Sequence, residues 1–297
     1  MADRVDAHHH FWRYDPQGYA WIDECMSVLK RDCLPEEFAR ELSSAGWAGS
    51  VVVQTRQTTE ETDWLLSLAT QSTSLWGVVG WAPIADAGFP SLLERLRAQN
   101  KLKGLRHVIQ DEPDDHFILR PDFNRGIAEM KGSGLVYEIL IHERHLPAAI
   151  VFVDRHPDQV FVLDHLAKPP IAEGKLDPWR GHIVELARRE HVHCKVSGMV
   201  TEANWSGWTS AKLRPYFDVV LDAFGPGRLI AGSDWPVCLL ATTYARWSQT
   251  LNGFVNELSP TEQDCILGTN AIRVYQLHDS QNREDATGES ARYQESR

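Results

Sequence analysis

The sequence predicts a (β/α)8 barrel of the TIM type, and three observations carry the prediction. Apolar runs of strand length recur eight times, at residues 4–8, 50–55, 77–82, 104–109, 135–141, 160–165, 192–197 and 229–234. Segments with helical periodicity lie between most of them, at 34–45, 60–69, 90–99, 123–131, 146–155, 179–190 and 215–223. No linker or internal repeat divides the first 277 of the 297 residues. Strands alternating with helices build parallel βαβ units, and eight such units close into a single domain of about 250 residues. An open doubly wound sheet would carry a phosphate loop after its first strand, and no GxGxxG is present there.

Composition narrows the function classes. Hydrophobic residues make up 43% and charged residues 24%, which fits a globular chain with a full core. A formal net charge of −11 argues against a nucleic-acid partner. There is no run of 18 apolar residues and no signal-peptide pattern, so no membrane partner is expected. The five cysteines, Cys25, Cys33, Cys194, Cys238 and Cys265, are scattered and lack a CxxC spacing, which points to free thiols and a cytoplasmic protein. Residues 1–277 form the predicted barrel. Residues 278–297 are polar, with almost no aliphatic side chains, and are expected to be disordered. No feature of the sequence specifies an oligomeric state.

The first strand, Val5-Asp6-Ala7-His8, runs into His9, His10, Phe11 and Trp12. A period of 2 places Asp6, His8 and His10 on one face. Two imidazoles so spaced can hold one divalent cation, a water or a substrate oxygen, although an isolated HxH is more often a surface cluster, which only the rest of the chain can overturn. The long stretch that follows, residues 11–31, contains Trp12, Tyr14, Tyr19 and Trp21. It lies on the side of the barrel where active sites form and is expected to roof a pocket. Trp12 and Trp21 could stack on a sugar ring there, with core packing the commoner use of any one tryptophan.

The later strands test the first. Barrel chemistry sits at the C-terminal strand ends. The fourth run carries Arg106-His107 near its end, the fifth offers Tyr137 and Glu138, the sixth ends on His165 and the eighth on Asp234. In the seventh, Val192, Cys194 and Val196 read as the helix-facing set, which turns His193, Lys195 and Ser197 inward. Each alone has a bland meaning: a satisfied core histidine, a helix-capping aspartate, a lysine reaching solvent. Together at one rim they point to chemistry, because buried polar groups need partners.

The first-strand DxHxHxW (Asp6, His8, His10, Trp12), the sixth-strand DHxxKP (Asp164, His165, Lys168, Pro169) and the eighth-strand GSDWP (Gly232 to Pro236) resemble the amidohydrolase superfamily. The stretches GLRHVIQDEPD, CKVSGMVTEA and SDWPVCLL are closest to its sugar-lactonase branch, and the likeness spans residues 3–277. The resemblance implies hydrolysis of a sugar lactone, such as L-fuconolactone or a related aldonolactone, to the aldonic acid. It departs from the binuclear pattern of the superfamily, because only His165 clearly follows the HxH. One divalent metal, such as zinc, on His8, His10, His165 and Asp234 is therefore expected at most, and members of this branch can dispense with it. Asp234 is assigned as the general base on water, with His8, His10 and His165 orienting that water or polarising the carbonyl. Arg106 and Lys168, and more weakly Tyr137 and Lys195, would bind substrate oxygens. The rival readings are a metal-dependent decarboxylase, a pyrone or muconolactone carboxylate lactonase, and a non-catalytic sugar-binding barrel.

Overall fold

The computed structural model describes residues 2–277, so the expected tail at 278–297 lies outside the described residues. Eight strands follow one another in a single sheet: β1 (Val5–His9), β2 (Gly49–Val53), β3 (Leu75–Gly80), β4 (Leu102–Val108), β5 (Val136–Leu140), β6 (Phe161–Leu163), β7 (Val192–Val196) and β8 (Leu229–Ala231). Every neighbouring pair in that order is parallel. The main intervening helices are α1 (Pro35–Ser44), α2 (Thr59–Gln71), α3 (Phe89–Arg97), α4 (Pro121–Glu129), α5 (Leu146–Arg155), α6 (Trp179–Leu186), α7 (Ser210–Phe224) and α8 (Tyr244–Val255). The result is the single-domain (β/α)8 barrel that the alternation predicts.

Local chemistry starts these helices. Proline occupies the first or second position of α1, α3, α4 and α5, where its missing N–H costs nothing. Thr58, Thr209 and Thr243 cap α2, α7 and α8 with their hydroxyls. The capping of α7 corrects the expected start at 215. Pro215 lies inside the helix, whose true beginning is marked by Thr209. The helical periodicity of α8 was not among the predicted segments.

Alternate strand residues build two layers. Val5, Ala7, Val51, Val53, Val136 and Ile230 pack inside the barrel with Tyr275, from the C-terminal segment. The opposite faces pack against the helices. Two backbone bonds beyond β8 close the seam, Asp234 N to His8 O at 2.8 Å and His10 N to Trp235 O at 2.7 Å.

The seam strand departs from simple alternation. In β1 the register shifts between Asp6 and His9, with one residue more on β1 than on β2. This bulge changes the expected shared face of Asp6, His8 and His10. Asp6 points outward to the Tyr244 hydroxyl of α8, which donates at 3.0 Å. His8 and His10 point inward, and His9 stacks on Phe38 of α1 at 3.8 Å between ring centroids. No helix among the described residues is long and apolar enough to cross a membrane.

Candidate active site

The bulge delivers two imidazoles to the mouth of the barrel. His10 Nδ1 lies 2.8 Å from the carbonyl of Val53 at the end of β2. A carbonyl only accepts, so that nitrogen carries the proton and Nε2 faces the site. There it meets His8 Nε2 at 3.2 Å and Asp234 Oδ1 at 3.3 Å. The same Asp234 oxygen is 3.9 Å from both His8 Nε2 and His165 Nε2. Asp6 stays behind them as a brace. It accepts from the Ser233 N–H at 2.9 Å as well as from Tyr244, and burial raises its carboxyl to about 6 against the pull of those bonds.

His165 sits on a turn of unusual hand. His165, Leu166, Ala167 and Lys168 have φ of 51°, 56°, 58° and 51°. A left-handed conformation costs roughly 1–2 kcal/mol per non-glycine residue, so the rim holds concentrated strain of the kind found at functional sites. The turn is held by the Lys168 N–H donating to the His165 carbonyl at 2.7 Å, and by the Trp179 indole donating to the Leu166 carbonyl at 2.7 Å. His165 Nδ1 pairs with the Ser197 hydroxyl at 2.9 Å. Gly198 makes room for the ring: a Cβ there would stand 2.5 Å from His165 Nδ1.

Beneath the imidazoles lies a buried ion network. Arg106 Nη1 donates to Asp164 Oδ2 at 2.9 Å, and Arg106 Nη2 donates to the Gln54 carbonyl. Lys195 Nζ donates to Glu138 Oε1 at 2.6 Å, lies 3.2 Å from Asp164 Oδ1 and 3.1 Å from His8 Nδ1. Tyr275 donates to Glu138 Oε1 at 2.5 Å. Burial alone would raise Asp164, yet Lys195, His8 and Arg106 hold it well below the usual carboxylate range. Glu138 goes the other way, to about 7, through burial and the charge of Asp164.

Burial pushes His8 well down and His165 down to about 4, so both are neutral near pH 7. Burial would raise Asp234, but His165, His10 and Lys168 together hold it below its ordinary value. An ionised carboxylate beside three imidazoles can accept a proton from water and hand it on.

The expected residues divide clearly. His8, His10, His165 and Asp234 converge. Lys168 is at the rim, 3.8 Å from Glu202. Arg106 and Lys195 are inward but buried and ion-paired below the histidines, so neither is free to grip a substrate oxygen. Tyr137 is not brought to the site. It faces the helices, where its ring meets Phe123, Phe152 and Phe161. Period 2 explains this: on β5 the inward position belongs to Glu138. Trp12 is also core, its indole donating to the Arg31 carbonyl at 2.9 Å. Trp21 packs edge-on against Trp12 and is 41% exposed. Residues not singled out from the sequence include Tyr275, whose position on the inner face follows only from the chain's return under the barrel, and Glu202, which lay unremarked inside CKVSGMVTEA.

The donor set fits one divalent metal. His8, His10 and Asp234 each offer one buried ligand atom, all within 4.8 Å of one another, and His8, Asp164 and His165 form a second such group that shares His8. Two nitrogens and a carboxylate suit zinc with a position left open. Glu138 is spoken for by Lys195 and Tyr275.

Comparison with known proteins agrees with this geometry. The family model described as amidohydrolase matches residues 5–277. The chain is 41% identical over 295 residues to an L-fucono-1,5-lactonase of Burkholderia multivorans, covering 93% of this chain and 97% of that protein. It is 36% identical to an L-fucono-1,5-lactonase of Burkholderia ambifaria, again over 93% and 97%. Among solved structures, an amidohydrolase from Burkholderia multivorans with bound zinc superposes with a TM-score of 0.90 at 39% identity, covering 93% of this chain and all of that one.

Proposed function

The chain belongs to the amidohydrolase family, and on that premise we propose that it is a lactonase, a carboxylic ester hydrolase that opens L-fuconolactone or a related sugar lactone to the aldonic acid. The observation that carries the reading is the meeting of Asp234 Oδ1 with the Nε2 atoms of His8, His10 and His165 at 3.3–3.9 Å. A lactone is an activated ester, so its hydrolysis needs a placed water, a base and donors for the tetrahedral oxyanion. Asp234 takes the proton from water. His10 and His165 orient that water, and His8 donates toward the carbonyl oxygen. Arg106 backs His8 at 3.4 Å from Nε2 and adds positive potential where negative charge develops. Lys168 and Glu202 meet ring hydroxyls at the rim. Zinc held by His8, His10 and Asp234 would supply Lewis-acid polarisation.

The partner on this reading is a small neutral molecule, and the net charge of −11 with scattered cysteines supports a cytoplasmic setting. A pH-indicator screen of aldonolactones tests the function. Acid release from L-fuconolactone is expected. Carbon dioxide release from an aromatic acid, with every lactone left intact, would replace the reading with the decarboxylase.

A further inference from the structure

Each hydrogen bond along the row Lys195, His8, His10 and Val53 constrains where a proton lies. Where His10 carries one proton, the Val53 carbonyl places it on Nδ1 and leaves a lone pair on Nε2. His8 Nε2 stands 3.2 Å from that lone pair, which is a hydrogen bond only when His8 carries its proton on Nε2. On the other side of the same ring, the Lys195 ammonium can only donate, and it lies 3.1 Å from His8 Nδ1. That nitrogen is then bare, so the two ends of the ring demand the same tautomer. Asp164 Oδ1, 3.4 Å from the same Nδ1, and Arg106 Nη1, which can only donate and lies 3.4 Å from Nε2, demand the opposite one, with the proton on Nδ1 and a bare Nε2. A metal ligand must have that second form. The two shorter contacts, to Lys195 at 3.1 Å and His10 at 3.2 Å, favour the proton on Nε2.

We propose that Lys195 is a positioning residue that fixes the Nε2–H tautomer of His8, so that His8 donates into the pocket, while Asp164 supports the alternative tautomer that ligates a cation. Lys195 does not touch the substrate. It is 0% exposed, and Glu138 and Asp164 engage it at 2.6 and 3.2 Å. Tyr275 sets Glu138 from below at 2.5 Å, so the C-terminal segment of the barrel reaches the imidazole through two side chains. The consequence for turnover rests on the lactonase reading. The tautomer assignment does not.

The test uses the full chain labelled with 15N-histidine and stripped of metal by a chelator. Long-range proton–nitrogen correlations distinguish the two tautomers, and the His8→Asn variant identifies the His8 signals by their loss. His8 is expected as Nε2–H in the wild type. Lys195→Met should move it toward Nδ1–H, raise zinc affinity about tenfold in competition with a chromogenic chelator, and lower kcat with little change in KM. Tyr275→Phe should move the same readouts in the same direction by less, and serves if Lys195→Met does not fold. An Nδ1–H signal for His8 in the metal-free wild type overturns the proposal. So do unchanged tautomer and zinc affinity in the foldable variants. A wild type with the expected tautomer that hydrolyses no lactone would overturn the functional reading alone.

Discussion

The backbone N–H of Asp234 donates to the carbonyl of His8 at 2.8 Å. The bond that closes the barrel therefore also places the carboxylate proposed as the base beside the first imidazole of the site. Asp234 reaches that position with a φ of 59°, a left-handed conformation uncommon outside glycine, asparagine and aspartate. Asp234→Asn keeps the shape and the backbone bond but removes the proton acceptor. It should melt within a few degrees of the wild type and lose about 10²–10⁴ in kcat. Near-normal turnover would remove Asp234 from the role of base.

Gly198 is the residue that gives His165 its place. Its φ is +65°, and a side chain there meets His165 Nδ1 at 2.5 Å. Gly198→Ala should displace the ring from the Ser197 hydroxyl. Misplacing a catalytic group by an ångström can cost about 10²-fold in rate. The expected result is a kcat loss of that order in a folded protein, read by circular dichroism beside the kinetics. A fully active Gly198→Ala enzyme would mean that His165 does not need this position.

Metal content follows from the donor set. At most one equivalent of zinc per chain is expected by elemental analysis, and none above background in a His8→Ala, His10→Ala double variant. Two equivalents per wild-type chain would contradict the single site. Activity that survives complete chelation is compatible with it, because Asp234 and the imidazoles can act on an activated ester unaided.

Acid should destabilise the fold through His193. This inward histidine lies on β7, its ring nitrogens have no hydrogen-bond partner among the described residues, and burial pushes it down to about 4 with help from Arg273 and Arg228. Unfolded, it titrates near 6.5. The unfolded chain then binds more protons, so stability rises with pH across this window. The contribution is complete above about 6.5 and is lost as pH falls toward 4, up to roughly 3 kcal/mol. Melting temperatures of His193→Leu should fall less steeply over that range than those of the wild type. Parallel curves would refute the assignment.

Substrate preference follows from which cations are free. A substrate carboxylate is best held by a planar, bidentate arginine, and Arg106 is already committed to Asp164 and the Gln54 carbonyl. At the rim, Lys168 is 3.8 Å from Glu202, a carboxylate that would repel an anionic ring. Neutral polyhydroxylated lactones should therefore be preferred. Analogues inverted at a ring hydroxyl should drop sharply, since a buried polar group left unpaired costs about 1–3 kcal/mol. Lactones that differ at C6 should all turn over. A higher kcat/KM for a pyrone or muconolactone carboxylate than for any sugar lactone would overturn this preference.

The sequence by itself determined the barrel, because eight apolar runs at strand length alternating with amphipathic segments leave few other ways to bury both faces of a parallel sheet. It also determined that His8, His10, His165 and Asp234 lie at one rim, since all four fall at C-terminal strand ends. The inward face of β7 was legible for the same reason: Val192, Cys194 and Val196 form one unbroken apolar row. What tertiary structure decided is where alternation stops applying. The bulge in β1 turns Asp6 outward and both histidines inward, and a one-residue shift of register leaves no trace in an apolar pattern. The partners of Lys195 and Arg106 were decided there too. Both read as substrate ligands from position alone, yet burial obliges each charge to find an opposite one, and only the closed barrel brings Glu138, Asp164 and Tyr275 within reach.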